Sequence, residues 1–369
     1  MKRLLMLCAA AGLAGCATTE GVGSLKSAAD TEKLHTMEQR VWHEADEADG
    51  AIQRSGLVTE DARATAYVQG VMDRLFPEFK GKITVRLHES TQLNAFAMAN
   101  GSVYVNIGIL ARMENEAQLA AVLAHEGVHF IEKHSFRQRV SAKNMAAFAV
   151  SGVPFSSLAA ISSISGFSRD HEREADAKGY ERLVAAGYDP GEAHKVFQIL
   201  ADEVQTLKAD EPYFFSSHPR LTERVDEFKR LSAAHKGGGR VEADTYNRIM
   251  MPLRLETLER DVGQDRFASV ILVMEDAKKS RLYPPAAHYW LGQAYSRRDG
   301  QGDAAKAFAA WRNAERTAPK FAPTFMRLGL HYMKAGNKAQ AKRYFQQYLA
   351  LAPADAADRG YVQQYLTSL

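Results

Sequence analysis

The chain has 369 residues, 46% hydrophobic and 25% charged, which is long enough to bury the cores of two domains. Lys and Arg total 47 against 44 Asp and Glu, a net charge of +3 that offers no basic surplus, so no nucleic acid is expected as a partner. The two cysteines, Cys8 and Cys16, both lie near the N-terminus, which excludes a disulfide framework in the body of the chain.

In chain order, Lys2 and Arg3 precede an apolar run from Leu4 to Ala14. The run is too short to span a bilayer and reads as a signal peptide, residues 1–15. It ends Leu13-Ala14-Gly15-Cys16, which looks like a bacterial lipoprotein processing box. Cleavage there makes Cys16 the first mature residue, lipidated and anchored to a membrane. The competing reading is a plain secretory signal with an incidental cysteine. Residues 16–34 then serve as lipidated end and tether, with small polar residues suiting flexibility.

The stretch Asn115 to Val140 reads as one long helix, with apolar Leu119, Val122, Leu123 and Phe130 at helical spacings. Asn115 followed by Gln118 fits its N-cap. Inside it stands His125-Glu126-Gly127-Val128-His129. Histidines four apart share one face, about 6 Å apart along the axis, so both can grip one zinc ion while Glu126 addresses a water. A bare pentad of this kind also arises by chance, with its histidines merely solvated or hydrogen-bonded. Gly127 costs the helix about 1 kcal/mol against alanine, either for a close approach by a neighbour or substrate or for no reason at all.

Zinc held by two histidines needs a third protein ligand and keeps one position open. A metzincin would need glycine at position 132 and histidine at 135; Glu132 and Ser135 stand there. The stretch Asn144 to Ser168 is uncharged, yet Pro154 and seven serines favour short helices capping the cleft as a lid, rather than a membrane span. Downstream, Ser168 to Asp176 places Glu172 and Asp176 four apart. Glu172 is the candidate third ligand, and Asp176 can accept the spare N–H of a ligand histidine. Glu174 is the fallback ligand, and an ordinary charged surface helix is the bland alternative.

Asp189-Pro190-Gly191-Glu192 is a helix start, with helices running on to about Ala234. Lys236-Gly237-Gly238-Gly239-Arg240 is a linker. The expected organisation is a metallopeptidase domain over 35–235, a linker over 236–242 and a repeat domain over 243–369. In the last, Leu328-Gly329, Tyr332, Gly336, Ala341, Phe345 and Pro353 fit tetratricopeptide spacing. Leu291-Gly292, Tyr295 and Pro319 give an earlier copy with about three residues inserted near 300–303, and Leu255, Leu258, Gly263 and Ala268 a weaker one.

With HExxH followed by S-R-x-x-E-x-E-A-D on the page, the chain resembles gluzincin peptidases of the CAAX prenyl protease and HtpX-like type, nearest to the soluble BepA-like periplasmic members. The resemblance covers about residues 35–232. Asn94-Ala95-Phe96-Ala97 with Gly101 to Val105 resembles the family's edge strand, and Ser217-His218-Pro219 with Arg224 its H-P-x-x-x-x-R element. It implies a mainly α fold with a small β-sheet, α+β and zincin-like, followed by an all-α tetratricopeptide solenoid. It implies one Zn2+ on His125, His129 and Glu172, with Asp176 beside them. Glu126 is the expected base, His218 or Arg224 an oxyanion donor, and Val103, Tyr104 and Val105 a substrate-binding edge. An inhibitory fourth ligand is the other role open to His218, and a simple helix start the bland one. The family usually has a large aliphatic residue where Gly127 stands. Ala17 after the lipidated cysteine points, again by resemblance, to the outer membrane.

Two functions compete. One is a zinc endopeptidase on the periplasmic side of the outer membrane, degrading unfolded or misassembled envelope proteins while its repeats contact outer-membrane assembly machinery. The other is a tetratricopeptide adaptor or chaperone for outer-membrane protein assembly with little or no proteolysis. A small-molecule metallohydrolase ranks third, because an open strand edge suits an extended chain better.

Overall fold

A computed structural model describes residues 23–140, 167–207, 221–235 and 238–369. The signal segment and Cys16, most of the uncharged stretch 144–168, and His218 lie outside the described residues.

The first half is helical around one small sheet. Helices α1 (Thr36–Gln53) and α2 (Ala62–Leu75) lead into strands β1 (Thr84–His88), β2 (Ala95–Ala97) and β3 (Ser102–Asn106). Strand order is β1-β3-β2, with β1 parallel and β2 antiparallel to β3. Alternation along the strands sorts the two faces. Val85, Leu87, Ala95, Ala97, Val103 and Val105 join the main core, while Phe96 and Tyr104 stack at 5.2 Å beneath α1. Asp49 of α1 accepts from Tyr104 Oη at 2.6 Å and from Arg86 Nε at 2.9 Å, tying that helix to the sheet.

The topology corrects one expectation. Val103, Tyr104 and Val105 do not form an edge: β3 is the central strand, hydrogen-bonded on both sides. The edge is β2. Asn94 and Met98 bond across to Asn106 and Ser102, so in antiparallel alternation the amides of Ala95 and Ala97 face the other way.

After β3 come α3 (Ile107–Arg112), α4 (Glu116–Ile131) and α5 (His134–Val140). Asn115 caps α4 by accepting from the Gln118 N–H, as its sequence suggested. The single helix expected over 115–140 is instead broken at Glu132–Lys133. Lys133 takes φ 53, a left-handed conformation that ends α4 and redirects the chain. Next come α6 (Arg169–Ala185), capped by Ser168, then α7 (Ala193–Leu207) and α8 (Leu221–Ala234).

The remaining elements are α9 (Ala243–Gly263), α10 (Phe267–Glu275), α11 (Ala287–Arg298), α12 (Asp303–Thr317), α13 (Ala322–Lys334), α14 (Lys338–Leu351) and α15 (Arg359–Ser368). They pack as successive pairs around a second core. A shared device recurs: a Cβ on Gly292 would meet Trp311 at 2.3 Å, and one on Gly329 would meet Phe345 at 2.5 Å. Each glycine lets an aromatic ring lie flat on its partner helix.

Two segments are more firmly held than expected. Leu25, placed in the tether, is buried and donates its N–H to Ile131 O at 2.8 Å. The linker is pinned at Arg240, whose N–H reaches Gly187 O at 2.9 Å and whose carbonyl accepts from Asp189 at 3.1 Å. The two cores also share α9, since Met250 and Leu253 join the first and Leu258 and Val262 the second. Arg112 crosses this seam, pairing with Glu203 at 2.8 Å and Asp261 at 3.7 Å in full burial. Among the described residues no helix is long and apolar enough to cross a membrane.

Candidate metal centre

The site forms where α4 and α6 pass at close range. A Cβ on Gly179 would lie 3.2 Å from the His125 backbone nitrogen, and Ala175 beside it is fully buried. These small residues let the helices approach, and Glu172 and Asp176, on the same face of α6, reach the histidines of α4. Gly127 has a different cause: a Cβ there would meet the Phe76 ring at 2.2 Å. The glycine therefore admits a core aromatic and not a substrate.

His125, His129 and Glu172 are all buried and place one ligand atom each within 4.8 Å of one another. The two Nε2 atoms are 3.0 Å apart, and the Glu172 oxygens stand 3.5 and 3.4 Å from them. The other nitrogen of each ring is occupied. His125 Nδ1 lies 2.9 Å from Asp176 Oδ1, as the sequence suggested. Arg224 grips Asp176 through Nε at 3.0 Å and Nη2 at 2.8 Å and stacks over Phe197 at 4.3 Å. Burial pushes the Asp176 carboxyl up, but Arg224 and His125 outweigh it and hold the group below its ordinary value. The guanidinium expected as an oxyanion donor is thus committed to Asp176.

His129 Nδ1 faces His134 Nδ1 at 2.9 Å, and His134 Nε2 faces Glu174 Oε2 at 3.2 Å. Burial drives His134 down to about 4, so it is neutral at ordinary pH. Glu174, the fallback ligand, therefore points away from the three donors. Neither residue's contact was foreseen, because an unbroken helix would carry residue 134 about 140° round from residue 129.

Glu126 is fully buried, and that burial pushes its carboxyl up to about 8, against the pull of His125 and Arg224. The Ala97 N–H of the edge strand faces it and favours the ionised form. The Phe167 ring stacks on His129 at 3.9 Å. A cleft of about 550 Å³ opens between α6 and α8, lined by Glu172, Asp176, Arg224, Arg169, Arg173 and Glu227.

Two imidazole nitrogens and a carboxylate, oriented by their far-side hydrogen bonds and buried together, are a donor set suited to zinc. Residues 59–232 match peptidase family M48. The chain carries an M48 peptidase domain. A metalloendopeptidase, expected from the HExxH and Glu172 pattern, accords with this match and with the names of its relatives. A beta-barrel assembly-enhancing protease of Yersinia pestis is 27% identical over 197 residues, 48% of this chain and 40% of that protein. A mitochondrial metalloendopeptidase of Schizosaccharomyces pombe is 34% identical over 175 residues, 44% and 51%. The metalloprotease YcaL of Escherichia coli is 29% identical over 168 residues, 42% and 64%. The chain thus spans 40% to 64% of the length of these relatives.

Proposed function

We propose that the protein is a zinc-dependent endopeptidase of the cell envelope, lipid-anchored through Cys16 to the outer membrane on its periplasmic side. Its substrates would be unfolded or misassembled envelope proteins, and its paired helices a tetratricopeptide surface that contacts assembly machinery there. One observation carries the catalytic part. The His125 and His129 Nε2 atoms converge with Glu172 while both Nδ1 atoms are held by side chains on the far side. The relatives named as assembly-enhancing proteases support the envelope part.

His125, His129 and Glu172 would hold the ion, which when bound supplies Lewis acidity that activates water and polarises a peptide carbonyl. Glu126 takes the proton of the attacking water and passes it to the leaving amine. The free side of the edge strand β2 would hold an extended substrate by main-chain hydrogen bonds, which gives affinity with loose side-chain selectivity. Asp176, braced by Arg224, fixes His125.

The test is cleavage of an unfolded protein such as casein by full-length chains of measured zinc content. Wild type is expected to cleave, and Glu126→Gln to keep its zinc and lose turnover. Faster cleavage by His218→Ala would make His218 an inhibitory ligand; slower cleavage with zinc retained would make it an oxyanion donor. If neither wild type nor His218→Ala cleaves despite bound zinc, the adaptor reading replaces this one.

A further inference from the structure

A histidine that ligates a metal through Nε2 carries its proton on Nδ1 and needs an acceptor there to fix its tautomer and ring angle. For His125 that acceptor is the Asp176 carboxylate. For His129 the facing atom is another imidazole nitrogen, His134 Nδ1 at 2.9 Å. A neutral imidazole donates from one nitrogen and accepts at the other. With Glu174 Oε2 3.2 Å from His134 Nε2, only one proton arrangement satisfies every contact. His134 donates from Nε2 to Glu174 and accepts at Nδ1 from the His129 N–H.

Three further features build this arrangement. His134 is fully buried, so water does not compete for its nitrogens. Glu174 is itself fixed by Lys178 at 2.6 Å and Arg137 at 3.4 Å. The left-handed turn at Lys133 swings α5 back so that His134 reaches a ring it could not face from a continuous helix. The Glu174 carboxylate, two residues beyond Glu172, points off the ligand face of α6, and His134 spans the gap.

The geometry points to His134 and Glu174 as a positioning pair for His129, which holds that ring with its Nε2 lone pair presented to the metal. This inference rests on the metal site proposed above. Removing such an outer partner typically weakens metal binding about 10- to 100-fold.

The experiment is zinc affinity of the full-length protein by competition with a chromogenic chelator, with the visible spectrum of the cobalt-loaded form as a second readout. His134→Phe keeps a ring and removes the acceptor; affinity should fall about 10- to 100-fold and the cobalt bands should shift. His134→Asn places its amide oxygen where Nδ1 stood, and should recover most of the affinity and the wild-type spectrum. Glu174→Ala, at a partly exposed position that does not endanger folding, should weaken zinc less strongly in the same direction. Wild-type affinity in His134→Phe, or equal weakness in Phe and Asn variants, would overturn the pair. A wild type that binds no zinc would defeat the metal site itself and this inference with it.

Discussion

Gly127→Ala sets two effects of opposite sign against each other. Alanine is favoured over glycine in a helix interior by about 1 kcal/mol, so propensity alone predicts a more stable protein. However, the new Cβ would stand 2.2 Å from Phe76 Cε2 and 2.4 Å from Cζ, more than an ångström inside contact distance. Phe76 is 1% exposed and roofed by Arg182, whose guanidinium sits 5.0 Å from the ring centre, so the ring has nowhere to go. Overpacking of this kind costs about 1–3 kcal/mol and sometimes more. The clash should win, leaving a net loss of up to about 2 kcal/mol, measured by urea unfolding of the metal-free protein. The control is the double-mutant cycle with Phe76→Ala. In that background the clash is gone, and Gly127→Ala should become stabilising by about 1 kcal/mol. A stabilised single mutant, or additivity in the cycle, would refute the view that Gly127 exists to admit Phe76. The cycle also bears on the family pattern, in which a large aliphatic residue usually follows the catalytic glutamate: here Phe76 fills that volume from outside the helix.

Arg224→Ala should leave Asp176 as a buried carboxylate without its guanidinium countercharge, held only by His125. Breaking a buried pair from one side costs about 3–5 kcal/mol, so urea unfolding that moves by less than about 1 kcal/mol would contradict the bracing role. At Asp49 burial raises the carboxyl, but hydrogen bonds from Arg86 and Tyr104 outweigh it and keep the group below its ordinary value. The unfolded chain then takes up that proton at higher pH than the folded one. The resulting stability is present above pH about 4 and is lost as pH falls through the lower folded value. Asp49→Asn should flatten the melting-temperature profile between pH 5 and pH 2, and an unchanged acid limb would remove Asp49 from this account.

The residues that converge on the centre were legible because their spacing is local. His125 with His129, and Glu172 with Asp176, are one helical turn apart, so each helix alone determines which side chains share a face. The α4 cap at Asn115 was equally local. What the sequence concealed depends on breaks and on partners distant in the chain. Lys133 carries no signal for a left-handed turn, which glycine or asparagine usually takes, so the helix read through to Val140 and His134 was left on the wrong side. Strand order is likewise a tertiary choice: Gly101 to Val105 reads the same at an edge or a centre, and only the pairing with Thr84–His88 makes it central. Gly127 could not be assigned without Phe76, fifty-one positions earlier. The shared helix α9 escaped for a related reason, since Gly238 and Gly239 look like a free linker until Arg240 is seen paired with Gly187 and Asp189.

The central claim is that one zinc ion sits on His125, His129 and Glu172. The most direct measurement is a crystal of the zinc-loaded protein with anomalous difference maps on both sides of the zinc absorption edge. The account predicts a single peak at about 2.0–2.2 Å from both Nε2 atoms and a Glu172 oxygen, absent below the edge. A peak held by other side chains, or none at this triad in protein that contains one zinc per chain, would contradict it.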